Sequence, residues 1–364
     1  MTLVVVGAGL AGLAAAWELQ HAGADVLVLE SGRRAGGVIV TERRDGFVVE
    51  GGPDGFLAAE PDIQDLARAL GLGDRLVDQL ARGSMLWTGG ALEPLPEGRA
   101  AELLGIDLQG HSERELDRGF RSFAGGMAEI VDALLARLGA AVRPDRGVTA
   151  ITPARHGWRL ALTGGSAQEA EGVILAVPGW VAARFLAGAG VPGGGYELDA
   201  VVYYPSITVS LAYRADQIRR PLEGTGFVAA SDAVGARHAV PLHIRACTYS
   251  SSKFPGRAPR GYALLRAFVG PVGGDGDPGA AAHAELAKIL GLKGEPLWSR
   301  VFHWPRGLPR YKPGHAERIA EIRAGLARLA PLEIAGAAVD GAGVSACVKS
   351  GREAARRMLR RLAG

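Results

Sequence analysis

Cysteine is nearly absent from this chain. Cys247 and Cys347 are its only two in 364 residues, they form no CxxC spacing, and the eight histidines do not cluster. That excludes a disulfide framework, argues against a structural zinc site and indicates a reducing compartment. Long apolar runs are also lacking. Leu3 to Leu19 has no basic lead and is broken by Gly7, Gly9, Gly12 and Glu18, which argues against a secretory signal. Val173 to Val191 contains Pro178 and Arg184 and is too interrupted to span a bilayer. The expectation is a cytoplasmic protein with no transmembrane segment and at most a peripheral membrane contact. Aromatic residues make up only 6% and no basic stripe is interleaved with them, so nucleic acid is excluded as a partner. No internal repeat is visible, and the 54 glycines fall mostly in short turns, which excludes fibrous and low-complexity classes.

The rest is an ordinary globular composition: 48% hydrophobic, 22% charged, enough length for two domains, and a net charge of +3 that suits an acidic small molecule. The apolar run Leu3 to Val6 leads directly into Gly7-Ala8-Gly9-Leu10-Ala11-Gly12, and Leu10, Leu13, Ala14 and Trp17 follow at helical spacing. This is the strand, glycine turn and helix of a dinucleotide site. Gly7 makes the tight turn, Gly9 admits a pyrophosphate, and Gly12 lets helix and strand approach, with the helix N-terminus facing the anion. A second strand, Asp25 to Leu29, ends at Glu30, the position of a ribose-binding acid. These residues alone leave NAD and FAD both open. No second unit of this kind follows, so no separate NAD(P)H domain is expected.

The next segment, "SGRRAGGVIVT" from Ser31 to Thr41, resembles the Arg-x-Gly-Gly stretch of the amine oxidase and phytoene desaturase superfamily of FAD enzymes. The resemblance puts Ser31, Arg34, Gly36 and Gly37 against the flavin diphosphate and ring, with Val38 where that superfamily usually has a basic residue. A narrower resemblance, to protoporphyrinogen and coproporphyrinogen oxidases, rests on "ACTYSSSKFPGRAPRGYALLRAFVG" at Ala246 to Gly270. It is repeated in family order by "VVEGGPDGFL", "FAGGMAEIVDALLARLG", "LPRYKPGHAERI" and "IAGAAVDGAGVSACVKSGREAA".

This resemblance implies an α/β fold in which a Rossmann-like FAD-binding domain carries a smaller, mostly antiparallel α+β substrate domain. The FAD domain is drawn from 1–80, 121–180 and 301–364, with 81–120 and 181–300 belonging to the substrate side. It implies FAD as cofactor, an anionic tetrapyrrole as substrate in heme biosynthesis, hydride transfer to flavin N5, and oxygen or another electron acceptor. Cofactor contacts extend to Gly51, Gly52, Pro53, Asp54, Val148, Ala176, Trp304, Gly336, Asp340, Gly343 and Val344. Tyr249 and Phe227 become walls against the tetrapyrrole, and Arg82 a partner for its carboxylate or a solvated surface charge. No catalytic base is assigned.

Three further expectations concern local structure. The "SSSKFPGRAP" corner reads as a rigid loop, neither helix nor strand, between incoming "HIRACTYS" and outgoing "YALLRAFVG". The basic run Lys349, Arg352, Arg356, Arg357, Arg360 and Arg361 reads as a solvated face of a terminal helix. Pro96 to Gly119 is a short charged linker where the resembled family inserts a block of capping helices, so the missing wall is to come from a partner subunit or a second copy, or the flavin face stays open. A superfamily oxidase or desaturase with another substrate, or a flavin- or tetrapyrrole-binding subunit without turnover, are the alternative readings.

Overall fold

The computed structural model describes residues 2–96, 99–103, 112–191, 194–229, 244–270 and 276–363. Parts of the 96–119 linker and His243 of the incoming strand therefore lie outside the described residues. Five parallel strands form the first sheet, in spatial order Val142–Arg143, Asp25–Leu29, Thr2–Val6, Gly172–Leu175 and Leu332–Ile334. Parallel strands covered on both faces are apolar on both faces. Accordingly Leu3 and Val5 pack against helices Leu10–His21, Ala128–Leu138 and Val344–Ala363, while Val4 and Val6 pack against Trp158, Leu160 and the helix Gly179–Gly188.

A second sheet of seven strands runs in the order Trp298–Arg310, Val202–Arg214, Tyr262–Val269, Ile244–Thr248, Gly226–Ala229, Ser84–Trp87 and Leu92–Leu95. Every pairing is antiparallel except Gly226–Ala229 on Ser84–Trp87. Side chains alternate between its faces. Val209, Leu211, Tyr213, Phe227, Leu265 and Ala267 bury one face against helix Pro278–Leu290. Ala212, Leu264 and Phe302 turn to the other, where they meet Phe47 and Val49 of the dinucleotide half. The expected α/β architecture with a mostly antiparallel second domain is thus present, and its last strand continues past residue 300 to Arg310.

Two local expectations need correction. The serine corner is not a loop throughout: Ser250–Lys253 form one helical turn, with Lys253 N donating to Tyr249 O at 2.8 Å, and Pro255 prevents it from continuing. Ser251 Oγ accepts from Leu264 N at 3.1 Å, tying the turn to the outgoing strand. Nor is the basic run of the terminal helix simply solvated. Arg352 and Arg356 both reach Glu18, and Arg357 and Arg361 both reach Glu333. Those pairs clamp the helix onto helix Leu10–His21 and strand Leu332–Ile334.

The clamp works because the facing surfaces are small. A Cβ on Gly351 would lie 2.0 Å from Ala11 O, a backbone atom that cannot swing aside. Gly351→Ala is expected to destabilise the fold by about 3 kcal/mol through overpacking. Gly188→Ala, also helical and with its nearest neighbour 3.4 Å away, is expected to be near neutral. Urea denaturation of the two variants checks the contrast.

Candidate functional site

The site grows from the first glycine turn. Gly7 has φ +98, and a Cβ there would sit 2.4 Å from Ala176 O; one on Gly12 would sit 2.0 Å from Gly7 O. Both positions are therefore closed to any side chain. Gly9, the N-cap of helix Leu10–His21, has an ordinary φ of −69 and nothing within 4 Å of a Cβ position. The one glycine with open space in front of it is thus the one at the positive end of the helix, and Leu10 and Ala11 are buried behind it.

Glu30 closes one side of this turn. Its carboxylate accepts from Ala8 N at 2.8 Å and from Gly32 N at 2.7 Å, with Ser31 Oγ at 3.3 Å. Two carboxylate oxygens offer about four lone-pair sites, so acceptor capacity remains. Gly147, next to Val148, lies against Ser31, which brings the Val148–Pro153 strand to the same rim.

A second layer of glycines carries the groove onward. Gly36 N donates to Ala8 O at 2.8 Å, a Cβ on Gly37 would meet Gly9 Cα at 3.3 Å, and one on Gly52 would meet Val38 O at 1.8 Å. Gly51, beside Pro53 in the same loop, is held from the opposite side, its carbonyl accepting from Trp304 Nε1 at 2.8 Å and Arg266 Nη2 at 3.4 Å. Arg34 braces this layer rather than reaching out of it, donating to the carbonyls of Ala35, Gly37 and Ile39. Val38 stays half exposed.

Behind the Gly51–Pro53 loop lies a buried ionic cluster that sequence reasoning did not find. Glu50 accepts from Thr41 Oγ1 at 2.7 Å and from Met127 N at 2.8 Å, where helix Ala128–Leu138 begins. Asp54 takes Lys253 Nζ at 3.0 Å, and Arg257 donates to Ser122 Oγ at 2.6 Å and Phe123 O at 3.2 Å. Burial pushes the Glu50 carboxyl up, whereas for Asp54 burial is outweighed by Lys253 and then Arg266, which hold it below its ordinary value of 3.8. The available signal was an arginine at an inward strand position: Leu264, Arg266 and Phe268 alternate onto one face, and an inward guanidinium requires company.

The C-terminal segment forms the far wall. Gly336 N donates to Ser350 Oγ at 2.8 Å, and Ser350 in turn donates to Asp340. Asp340 also binds Arg323 Nη2 at 2.7 Å, so its carboxylate is already paired. Gly343 O receives Cys347 N, and Val344 opens the terminal helix. A cavity of about 450 Å³ lies here, lined by Glu60, Asp340, Ser345, Lys349 and Ser350 among others.

The expected substrate contacts are not brought to this groove. Phe227 and Tyr249 are 2% and 1% exposed, belong to the core under helix Pro278–Leu290, and lie 6.3 Å apart ring to ring. Burial pushes the Tyr249 hydroxyl well up. The correction follows from strand alternation: Phe227 and Cys247 pair on the face covered by helix Pro278–Leu290, so Val228, Ala246 and Thr248 belong to the opposite face, where Val228 and Ala246 are themselves buried. Arg82 donates to Asp117 O at 2.6 Å and Arg118 O at 3.3 Å, pinning the end of the short linker.

Because Gly9 has an L-compatible backbone and empty space, Gly9→Val is expected to leave folding stability within about 0.5 kcal/mol while filling the anion cradle. The variant should purify folded but without the absorbance of bound cofactor. Gly7→Val, clashing with Ala176 O, should not fold. Far-UV circular dichroism beside the visible spectrum separates the two results.

Comparison with known proteins bears on what the groove holds. The family model described as flavin containing amine oxidoreductase matches residues 10–104 and 95–359. Coproporphyrinogen III oxidase of Bacillus subtilis (strain 168) is 24% identical over 472 residues, covering 97% of this chain and 96% of the relative. That of Propionibacterium freudenreichii is 27% identical, covering 97% and 90%. A solved structure of a candidate protoporphyrinogen oxidase from Exiguobacterium sp. 255-15 superposes with a TM-score of 0.81 at 27% identity, over 100% of this chain and 99% of that one. Cyclohexylamine oxidase from Brevibacterium oxydans IH-35A shares the fold, at 15% identity and a TM-score of 0.77, over 100% of this chain and 99% of that one. The family match breaks into two pieces at 95–104, where the short linker begins, and the Bacillus subtilis alignment is longer than this chain. With the helix that follows the glycine turn, the ribose acid and the C-terminal wall inside the matched residues, the chain belongs to the flavin-containing amine oxidoreductase family.

Proposed function

We propose that the chain is an FAD-dependent porphyrinogen oxidase, acting in the cytoplasm on coproporphyrinogen III in preference to protoporphyrinogen IX and using oxygen as the final acceptor. The observation that carries this reading is similarity to coproporphyrinogen III oxidases along 97% of the chain, lying over a groove whose open glycine, helix N-terminus and carboxylate suit a flavin dinucleotide. The net charge of +3 favours the more carboxylated of the two substrates. Among the described residues, no helix is long and apolar enough to cross a membrane.

The residues fit FAD. Gly9 and the start of helix Leu10–His21 would hold the diphosphate, Glu30 the ribose, and Gly36, Gly37, Gly51 and Gly52 allow a flat ring to lie close to backbone. Bound FAD supplies the hydride acceptor and passes the electrons on.

The chain contributes orientation and exclusion of water. Trp304 and Arg266 fix the Gly51 carbonyl, and with it the loop that sets the groove floor. We assign the tetrapyrrole to the side of the large sheet opposite helix Pro278–Leu290, where Thr248 and Phe268 are half-buried rather than closed off. Neither buried acid of the cluster is assigned the departing pyrrole proton: Glu50 is engaged by Thr41 and Met127, and Asp54 by Lys253.

The test is porphyrin fluorescence in air from purified, flavin-loaded protein given coproporphyrinogen III or protoporphyrinogen IX, against a boiled blank. Porphyrin should appear faster than in the blank, with coproporphyrinogen III the better substrate. Flavin-loaded protein giving no rate above the blank with either would overturn the assignment.

A further inference from the structure

Arg266 is 5% exposed, yet its Nε has no hydrogen-bond partner, and its recorded bond to a carbonyl is a 3.4 Å contact from Nη2 to Gly51 O. A buried polar group left unmet is costly, and a guanidinium cannot shed its charge to relieve the cost. Thr208 Oγ1, also buried and without a partner, belongs to the same sheet face: Ser210 pairs with Arg266 and Thr208 with the next residue on that face, Phe268. The two unmet donors therefore share the surface turned toward the glycine loops.

The charge around Arg266 is also unbalanced. Lys253, Arg257 and Arg266 face Glu50 and Asp54, while Glu129, which also acts on Arg257, is paired with Arg75 at 2.6 Å, and Asp54 is hydrogen-bonded by Lys253 rather than by Arg266. Arg266 touches the loop at the Gly51 carbonyl and has the least complete hydrogen bonding of the three.

We propose that Arg266 is a positioning residue for the flavin, fixing the Gly51–Pro53 loop through the Gly51 carbonyl and holding uncompensated positive charge behind it, so that the electron-rich reduced ring is favoured over the oxidised one. This rests on the flavin reading of the groove and not on the identity of the substrate. A fixed cation in a site of low dielectric acts strongly on a neighbouring developing charge, and Asp54 is the opposing term built into the same cluster.

The experiment measures the flavin midpoint potential of holoprotein by dye-coupled reduction, with thermal unfolding alongside. Arg266→Gln should shift the potential to more negative values, Arg266→Lys should stay near the original, and Asp54→Asn should shift it to more positive values. A residue acting only in folding would lower the melting temperature in both Arg266→Gln and Asp54→Asn without opposite shifts in potential. Unchanged potentials, or shifts in the same direction, overturn the proposal. If Arg266→Gln does not fold, the absence of a positive shift in Asp54→Asn is sufficient to overturn it. Failure of the unsubstituted chain to retain flavin would instead remove the flavin reading itself, and inactivity toward porphyrinogens leaves this measurement unaffected.

Discussion

Glu50, Asp54, Lys253, Arg257 and Arg266 lie together between the two halves of the molecule, mostly out of water, and the arrangement of the groove depends on them. Taking such charges out of water is expensive, and the cost is met only when each finds a close partner. Here the carboxylates come from the dinucleotide half and the cations from the corner and outgoing strand of the large sheet. Asp54 takes its cation from the sheet half, and Arg257 its hydrogen bonds from the dinucleotide half. Displacing one member strands the others, at about 3–5 kcal/mol for a broken buried pair, so the two domains are held at one separation and one register. Cation–π contacts reinforce this, with Lys253 Nζ 4.8 Å from the Phe120 ring and Arg257 5.5 Å from that of Phe254. The Gly51–Pro53 loop runs between Glu50 and Asp54, which is why its position is so narrowly determined.

The dinucleotide half uses the opposite device. Its contacts are made by the absence of side chains: Gly7 against Ala176, Gly12 against Gly7, Gly52 against Val38, Gly351 against Ala11. Each brings two backbones within distances that a methyl group would forbid. Close backbone approach leaves little room for adjustment, since packed interiors respond to an added carbon by shifting whole elements. The groove thus has a rigid glycine floor on one side and a charge-locked sheet on the other. Such a site suits a cofactor enzyme, whose protein part must hold a reactive ring in one place.

Much of this was legible from sequence where the signal is local. The Leu3 to Val6 run, the glycine turn with its helix and the strand that ends at Glu30 are each specified by residues within a few positions of one another, and they appear where the sequence pattern placed them. The ionic cluster was not legible, because Lys253 and Asp54 are 199 residues apart and neither segment announces its partner. Phe227 and Tyr249 show a different failure. A strand declares that alternate residues face opposite ways, but nothing in "GTGFVAA" or "HIRACTYS" says which set faces the cofactor. That choice belongs to helix Pro278–Leu290, which covers the other face with Leu286, Ile289 and Leu290. Likewise the terminal arginines look solvated until Glu18 and Glu333 are folded beneath them.

The short linker can be understood in the same terms. The chain leaves the large sheet after Leu92–Leu95 and returns as Phe120–Phe123, which pairs with both Phe56–Leu57 and Leu76–Asp78. Gly119 O accepts from Ala58 N at 2.8 Å and Arg82 binds the carbonyls of Asp117 and Arg118, so the point of return is fixed by backbone pairing on the dinucleotide side. What lies between exit and return can be lengthened or shortened at small entropic cost, because loop closure changes only slowly with length. Ser122 and Phe123, the first residues after the return to accept from Arg257, then hand the chain directly to the ionic cluster. The anchoring of the linker and the locking of the groove are therefore one continuous structure, and a change in linker length alters what covers the sheet without moving the floor on which the cofactor rests.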